Sequence, residues 1–127
     1  MNAMGTNPDD STDNASILLK YEDGSTGVIN YFSNGSRAYS KERIEVHSHE
    51  RTAIIDNFQK TTGYGFKGFS KLKTGLDKGH KNQFTQLINR IKEGGDPLIP
   101  FDEIVNTTKA SFAAIESLKN NSWVKII

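Results

Sequence analysis

No cysteine occurs in the 127 residues, which removes disulfides, thiol catalysis and thiolate metal sites. An excess of one charge is missing too. Sixteen Lys and Arg stand against 15 Asp and Glu, a formal net charge of +1. That balance gives no global field to steer the chain to nucleic acid or an anionic membrane. No apolar run approaches the ~20 residues of a membrane span. Residues 1–13 are small, polar and acidic, without the basic start and apolar stretch of a secretory leader. They read as a flexible lead-in, and the expected location is cytoplasmic. No Ser, His and acid arrangement recommends itself for nucleophilic catalysis. No carboxylate pair in a recognisable setting supports hydrolysis. What remains is a chain long enough for one domain, able to bury about two-thirds of its unfolded surface without covalent staples.

The patterning is strands first, helices last. Residues 15–21 alternate, with Ala15, Ile17, Leu19 and Tyr21 on one side and Ser16, Leu18 and Lys20 on the other. Asp23-Gly24 then marks a hairpin, because both residues tolerate positive φ. The return strand over 26–32 sets Val28, Asn30 and Phe32 opposite Ile29 and Tyr31. Residues 42–48 alternate again, with Ile44 and Val46 against Arg43, Glu45 and His47, and His49-Glu50 breaks the run before a strand over 52–56. A less regular pair of strands fills 58–73. After residue 77 the period lengthens. His80, Phe84, Leu87, Ile88 and Ile91 recur at three and four, a helical stripe, with Asp77 as the expected N-cap and Gly94-Gly95 as the stop. A second helix over 102–120 begins after Pro100 with Asp102 and Glu103 at its positive end. Residues 123–127 read as an edge strand. The fold class expected is α+β: a largely antiparallel mixed sheet of about six strands, with both C-terminal helices packed on one face.

Four motifs carry possible chemistry. Gly63-Tyr64-Gly65-Phe66-Lys67-Gly68 matches the dinucleotide fingerprint letter for letter, but no buried strand precedes it and no helix follows. Glycines in a turn or bulge fit better. His47 and His49, with His80, could make a three-histidine metal site; an exposed pair on a polar sheet face is favoured. Lys60, Lys67, Lys71 and Lys73 interleave with Tyr64, Phe66 and Phe69, a pattern that could stack and neutralise a single strand. Lysines guarding the edge of a solvated hairpin are the favoured reading, because the net charge is near zero. His80, at a helix start, tends to stay neutral there and could bond a substrate hydroxyl or simply cap the apolar stripe.

Several pieces in order resemble a known family. They are Tyr21-Glu22-Asp23-Gly24-Ser25-Thr26-Gly27, Ser40-Lys41-Glu42-Arg43-Ile44-Glu45-Val46, Asp77-Lys78-Gly79-His80 with Phe84, Pro97-Leu98-Ile99-Pro100-Phe101, and Ala113-Ala114-Ile115-Glu116-Ser117-Leu118. Together, over residues 13–127, they resemble the C-terminal α/β domain of the Gfo/Idh/MocA (glucose–fructose oxidoreductase and inositol dehydrogenase) oxidoreductases. They look most similar to members found with surface-polysaccharide and nucleotide-sugar genes. The resemblance implies that residues 14–127 form one C-terminal-type domain of a two-domain enzyme. Its Rossmann half, which would bind NAD or NADP and carry a Glu-Lys-Pro lysine, is absent, as is the family's Asp and His pair one helical turn apart. This chain would then be a separated C-terminal half without hydride-transfer activity, holding no cofactor itself. It would frame a sugar pocket and pair with its Rossmann domain. Its open sheet face, with Ile17 or Leu18, Val28, Phe32 and Ile54, would join copies into an oligomer. Membrane association is not expected, and nucleic acid is disfavoured. Only Lys78 and His80 fall where the resemblance brings the motif to the substrate pocket. No catalytic, cofactor-binding or metal residue is assigned. The alternative is a free-standing α+β module that binds nucleic acid or protein through the basic aromatic hairpin 58–73.

Overall fold

The computed structural model describes residues 14–126 and the backbone of Asn2–Gly5. Seven strands, β1(Asn2–Gly5), β2(Asn14–Lys20), β3(Thr26–Phe32), β4(Arg43–Ser48), β5(Arg51–Asp56), β6(Lys60–Tyr64) and β7(Lys71–Lys73), precede α1(His80–Glu93) and α2(Phe101–Asn120). Every strand pairing is antiparallel, so the class is α+β as the patterning predicts. The expected single sheet is two sheets, in the orders β1-β2-β3 and β4-β5-β6-β7. The break falls in the polar stretch after Phe32. There the Tyr39 N–H donates to the Ser36 carbonyl, so the loop satisfies itself locally and is too long to be a hairpin link. Alternation marks each strand but says nothing of partnership across such a loop.

The chain divides into two units, Met1–Gly35 with Gly95–Ile127, and Ser36–Gly94. In the first, β2 and β3 pair in register from Asn14↔Phe32 to Lys20↔Thr26. Leu18 and Val28 therefore share a face with the Ser16–Asn30 pair, whose side chains hydrogen-bond at 2.8 Å. Ile17 and Ile29 share the other face. At the hairpin, Gly24 takes φ 86 and donates to the Tyr21 carbonyl, and the Asp23 carboxylate accepts the Ser25 N–H. Backbone 2–5, part of the expected lead-in, is instead the third strand, paired Asn2↔Leu18 to Gly5↔Ala15. The remainder of that lead-in, 6–13, lies outside the described residues. Helix α2 lies against β1. Its small residues Ala113 and Ser117 are buried, as close packing on backbone requires. Asp102 and Glu103 occupy its first turn, and Asn121 ends it in the left-handed region. The edge strand expected over 123–127 does not form in 123–126, and residue 127 lies outside the described residues. The Ser117 hydroxyl draws the Ser122 carbonyl back to the helix end at 2.6 Å, which redirects the tail.

The second unit is a meander with tight links. His49-Glu50 join β4 to β5 at φ 47 and 60, the paired left-handed geometry that matches strand twist. Asn57-Phe58-Gln59 join β5 to β6, with Asn57 and Phe58 at φ 49 and 52 and the Gln59 N–H donating to the Asp56 carbonyl. Helix α1 is capped by Gly79, not by Asp77. The Asp77 carboxylate accepts the Gly79 N–H at 2.8 Å, one step outside the helix. Gly94 stops the helix as expected. Within its own unit α1 does not pack on the sheet face: among the described residues it has no buried residue and no extended contact with β4–β7. A helical stripe shows that cover is needed, not which element supplies it.

Candidate functional site

The register of the second sheet sorts its side chains onto two unlike faces, since directly opposed residues project the same way. One face carries the rows Arg43–Asp56–Lys60–Lys73, Glu45–Ile54–Thr62–Lys71 and His47–Thr52–Tyr64. The other carries Ile44–Ile55–Thr61–Leu72 and Val46–Ala53–Gly63. The first is polar and internally bonded. Arg43 reaches Glu45 at 3.2 Å, His47 Nε2 lies 3.1 Å from the same carboxylate, and His47 Nδ1 lies 3.0 Å from Thr52 Oγ1.

At the end of that polar face is a cleft of about 380 Å³. Its wall holds Asp56, Lys60 and Lys73, three members of one transverse row. Ser40 closes one side and donates its hydroxyl to Asp56 Oδ1 at 2.6 Å. Asn57 and Gln59 come from the β5–β6 link, and Thr74 follows β7. The link is pinned at both ends: the Asn57 N–H donates to the Glu42 carbonyl at 2.7 Å, and the Thr74 N–H to the Gln59 carbonyl at 2.9 Å. Of these residues the sequence patterning singled out only Lys60 and Lys73, as members of the basic aromatic run. The signal that could have joined them is the register of both hairpins, because the Asp56–Lys60 pairing alone leaves the β7 partner of Lys60 open.

Lys78 and His80, which the resemblance placed at a substrate pocket, are not among the residues lining this cleft. Lys78 Nζ is 2.5 Å from Glu42 Oε1 and sits 5.7 Å from the centre of the Phe58 ring. The Lys78 ammonium therefore ties the approach to α1 onto the start of β4 and the strained Phe58 turn. Glu42 Oε2 is buried and has no hydrogen-bond partner. His80 is exposed on the first turn of α1.

The fingerprint-like glycines serve the backbone. Gly63 is a buried strand residue where an added Cβ would stand 2.6 Å from the Phe69 ring. Gly65 and Gly68 take φ 74 and 81, and β7 follows rather than a helix. Phe66 and Phe69 meet edge to face, 6.1 Å between centres, and both rings flank Gly63, hence the aliphatic side. Lys60, Lys71 and Lys73 project from the opposite side. The interleaving seen in the sequence thus divides: Phe66 and Phe69 lie on the aliphatic side, and Tyr64 shares the other face with Lys60, Lys71 and Lys73. Arg51 instead lies 5.7 Å from the Phe66 ring centre. His49 sits in its turn with Nδ1 2.7 Å from Ser48 Oγ, apart from the His47 cluster, and no group of three or more His, Asp or Glu is placed to hold a metal among the described residues. None of the described helices is long and apolar enough to cross a membrane.

No family model matches the chain, and no curated protein or solved structure matches it either.

Proposed function

We propose that this chain is the substrate-framing and oligomerisation domain of an NAD(P)-dependent sugar or nucleotide-sugar oxidoreductase of the Gfo/Idh/MocA kind, inactive by itself. The observation that carries the reading is apolar surface left open. Among the described residues Ala113 is the one hydrophobic side chain of the core that is buried. On α1 the stripe Phe84, Leu87, Ile88 and Ile91 is exposed, Ile91 to 73%. On β2–β3, Leu18, Val28 and Phe32 are exposed on one face. Ile54, expected to join them, belongs to the other sheet. Contiguous apolar patches of this kind mark surfaces that another protein body covers. In this proposal the α1 stripe meets the Rossmann domain and the β2–β3 face meets a second copy. NAD or NADP belongs to the Rossmann domain, because Gly63–Gly68 here precedes a strand and offers no helix N-terminus to a pyrophosphate. The conserved chemistry of hydride transfer would likewise lie outside this chain, which frames the sugar.

Sedimentation velocity of the purified chain tests the reading together with calorimetric titration of NADH and NADPH. A dimer or larger species that binds neither nucleotide is expected. A cooperative, well-folded monomer, or tight nucleotide binding by this chain alone, would overturn it.

A further inference from the structure

We propose that the cleft at the end of the polar face binds a small phosphate dianion through Lys60 and Lys73. Lys60 and Lys73 are directly opposed across β6 and β7. Directly opposed side chains on antiparallel strands have Cβ atoms about 5 Å apart, and like charges there repel. The row offers Asp56 on the other side of Lys60. Yet the ion pairs of the described residues are Arg43–Glu45, His47–Glu45 and Lys78–Glu42, and neither lysine enters one. Asp56 is instead bonded to Ser40. Two lysines thus line one cleft against the single Asp56 carboxylate, and the next row adds Lys71 on the same face.

The surroundings fit the same ligand. Asn57 and Gln59 carry amide donors and Thr74 a hydroxyl donor, all lining the cleft. The turn that presents the amides holds Phe58 at φ 52, a costly geometry for a bulky residue. Strained backbone of this sort persists where the surrounding structure fixes it, and it gathers at ligand sites. Here the Asn57–Glu42 backbone bond and the Lys78 ammonium against Phe58 hold it. Lys60, Lys71 and Lys73 against the one Asp56 carboxylate leave an excess of two positive charges on this face, which a phosphate monoester or inorganic phosphate, about −2 near neutral pH, would neutralise. Lysine serves such ligands as a mobile point charge. The inference is independent of the oxidoreductase reading.

The test is a titration of the isotopically labelled full chain, followed by amide NMR shifts, with inorganic phosphate, glycerol 3-phosphate and dimethyl phosphate in parallel. Saturable shifts centred on residues 56–60 and 73–74 are expected with the first two. Tighter binding of glycerol 3-phosphate would assign the dianion to an organic phosphate; tighter inorganic phosphate would assign it to the free ion. Lys60→Met and Lys73→Met should each weaken binding by about tenfold, the worth of one hydrogen bond to a charged group. Lys67→Met, outside the row, should leave it unchanged. Each variant is first checked for a wild-type amide spectrum, and Lys73→Gln at the edge strand replaces any that fails. Shifts elsewhere, equal binding of the dimethyl phosphate monoanion, unchanged affinity in the lysine variants, or preferential binding of a single-stranded oligonucleotide would each overturn the proposal.

Discussion

Replacing Gly63 by alanine should destabilise the second unit through one identifiable collision. The new Cβ would lie 2.6 and 2.8 Å from two atoms of the Phe69 ring and 3.1 Å from Phe66. Carbon pairs are at ease at about 3.5–4.0 Å, so the Phe69 ring must retreat by roughly 1 Å. It is not free to do so. Its neighbour Ser70 accepts the Gly63 N–H at 2.9 Å, which pins the backbone beside the ring. Moving the ring also opens the perpendicular Phe66–Phe69 contact, a pair worth about 0.5–1.5 kcal/mol beyond its buried area. Overpacking of this kind costs about 1–3 kcal/mol. Against it stands a gain of about 0.4–1 kcal/mol from a less floppy unfolded chain. The net expectation is a loss of about 1–2 kcal/mol, or roughly 5–15 °C in Tm for a unit of this size. Circular dichroism melts would measure it. Gly75→Ala serves as control, since no atom lies within 4 Å of its added Cβ and its φ is ordinary. In a Phe69→Ala background the cost of Gly63→Ala should shrink to what the 3.1 Å approach to Phe66 leaves, because the nearer colliding ring is gone. If Gly63→Ala melts within experimental error of the parent, or costs the same in both backgrounds, the close approach is not what holds glycine there.

Two further outcomes follow from the same geometry. Lys78→Met should lower the denaturation midpoint by the equivalent of about 1 kcal/mol, the upper range for a part-exposed ion pair, with the difference shrinking in 1 M salt. An unchanged midpoint at low salt would show that the Lys78–Glu42 contact holds nothing in place. Asp23 has its carboxyl held below its ordinary value of 3.8 by hydrogen bonding from Ser25, first from the backbone N–H and then from the side chain. A depressed carboxylate contributes stability above its unfolded value, and that contribution disappears as pH falls through the lower folded value. NMR titration should place the Asp23 midpoint below 3.8. Ser25 amide shifts should follow the same transition and disappear from the profile in Asp23→Asn; a midpoint at or above that value would contradict the turn geometry.

Local chemistry was readable before the fold was. The faces of β2, β3 and β4 follow from simple alternation, and the Arg43, Glu45 and His47 contacts now show that they share a side. The hairpin at Asp23-Gly24 and the helix stop at Gly94 were equally plain, because glycine is the residue that accepts those angles. The β5–β6 link was not, since Phe58 is a poor advertisement for a left-handed turn. What lay beyond reach was everything that depends on which element meets which. The division into two sheets turns on a loop whose own hydrogen bonds are local, and the exposed stripe of α1 shows only once the described residues of its own unit are seen not to bury it. Lys78 looked like a pocket residue by its motif, yet its partner Glu42 is 36 positions away. The lysine pair of the cleft was hidden for the same reason: opposition across β6 and β7 exists only once the register is known.

The two-residue link at His49-Glu50 leaves no slack between β4 and β5. A single residue inserted there would slide one strand past the other by one position and invert its side chains relative to its neighbour. Arg43, Glu45 and His47 would then confront the flank of Ile55 and Ala53, and Ile44 and Val46, already exposed, would move to the polar face. Lengthening this corner, which lies far along the strands from the cleft, would thus disassemble the Arg43–Asp56–Lys60–Lys73 line without altering one of its members. The segment most intolerant of a changed length is therefore a solvent-facing bend of two ordinary residues, neither of them glycine.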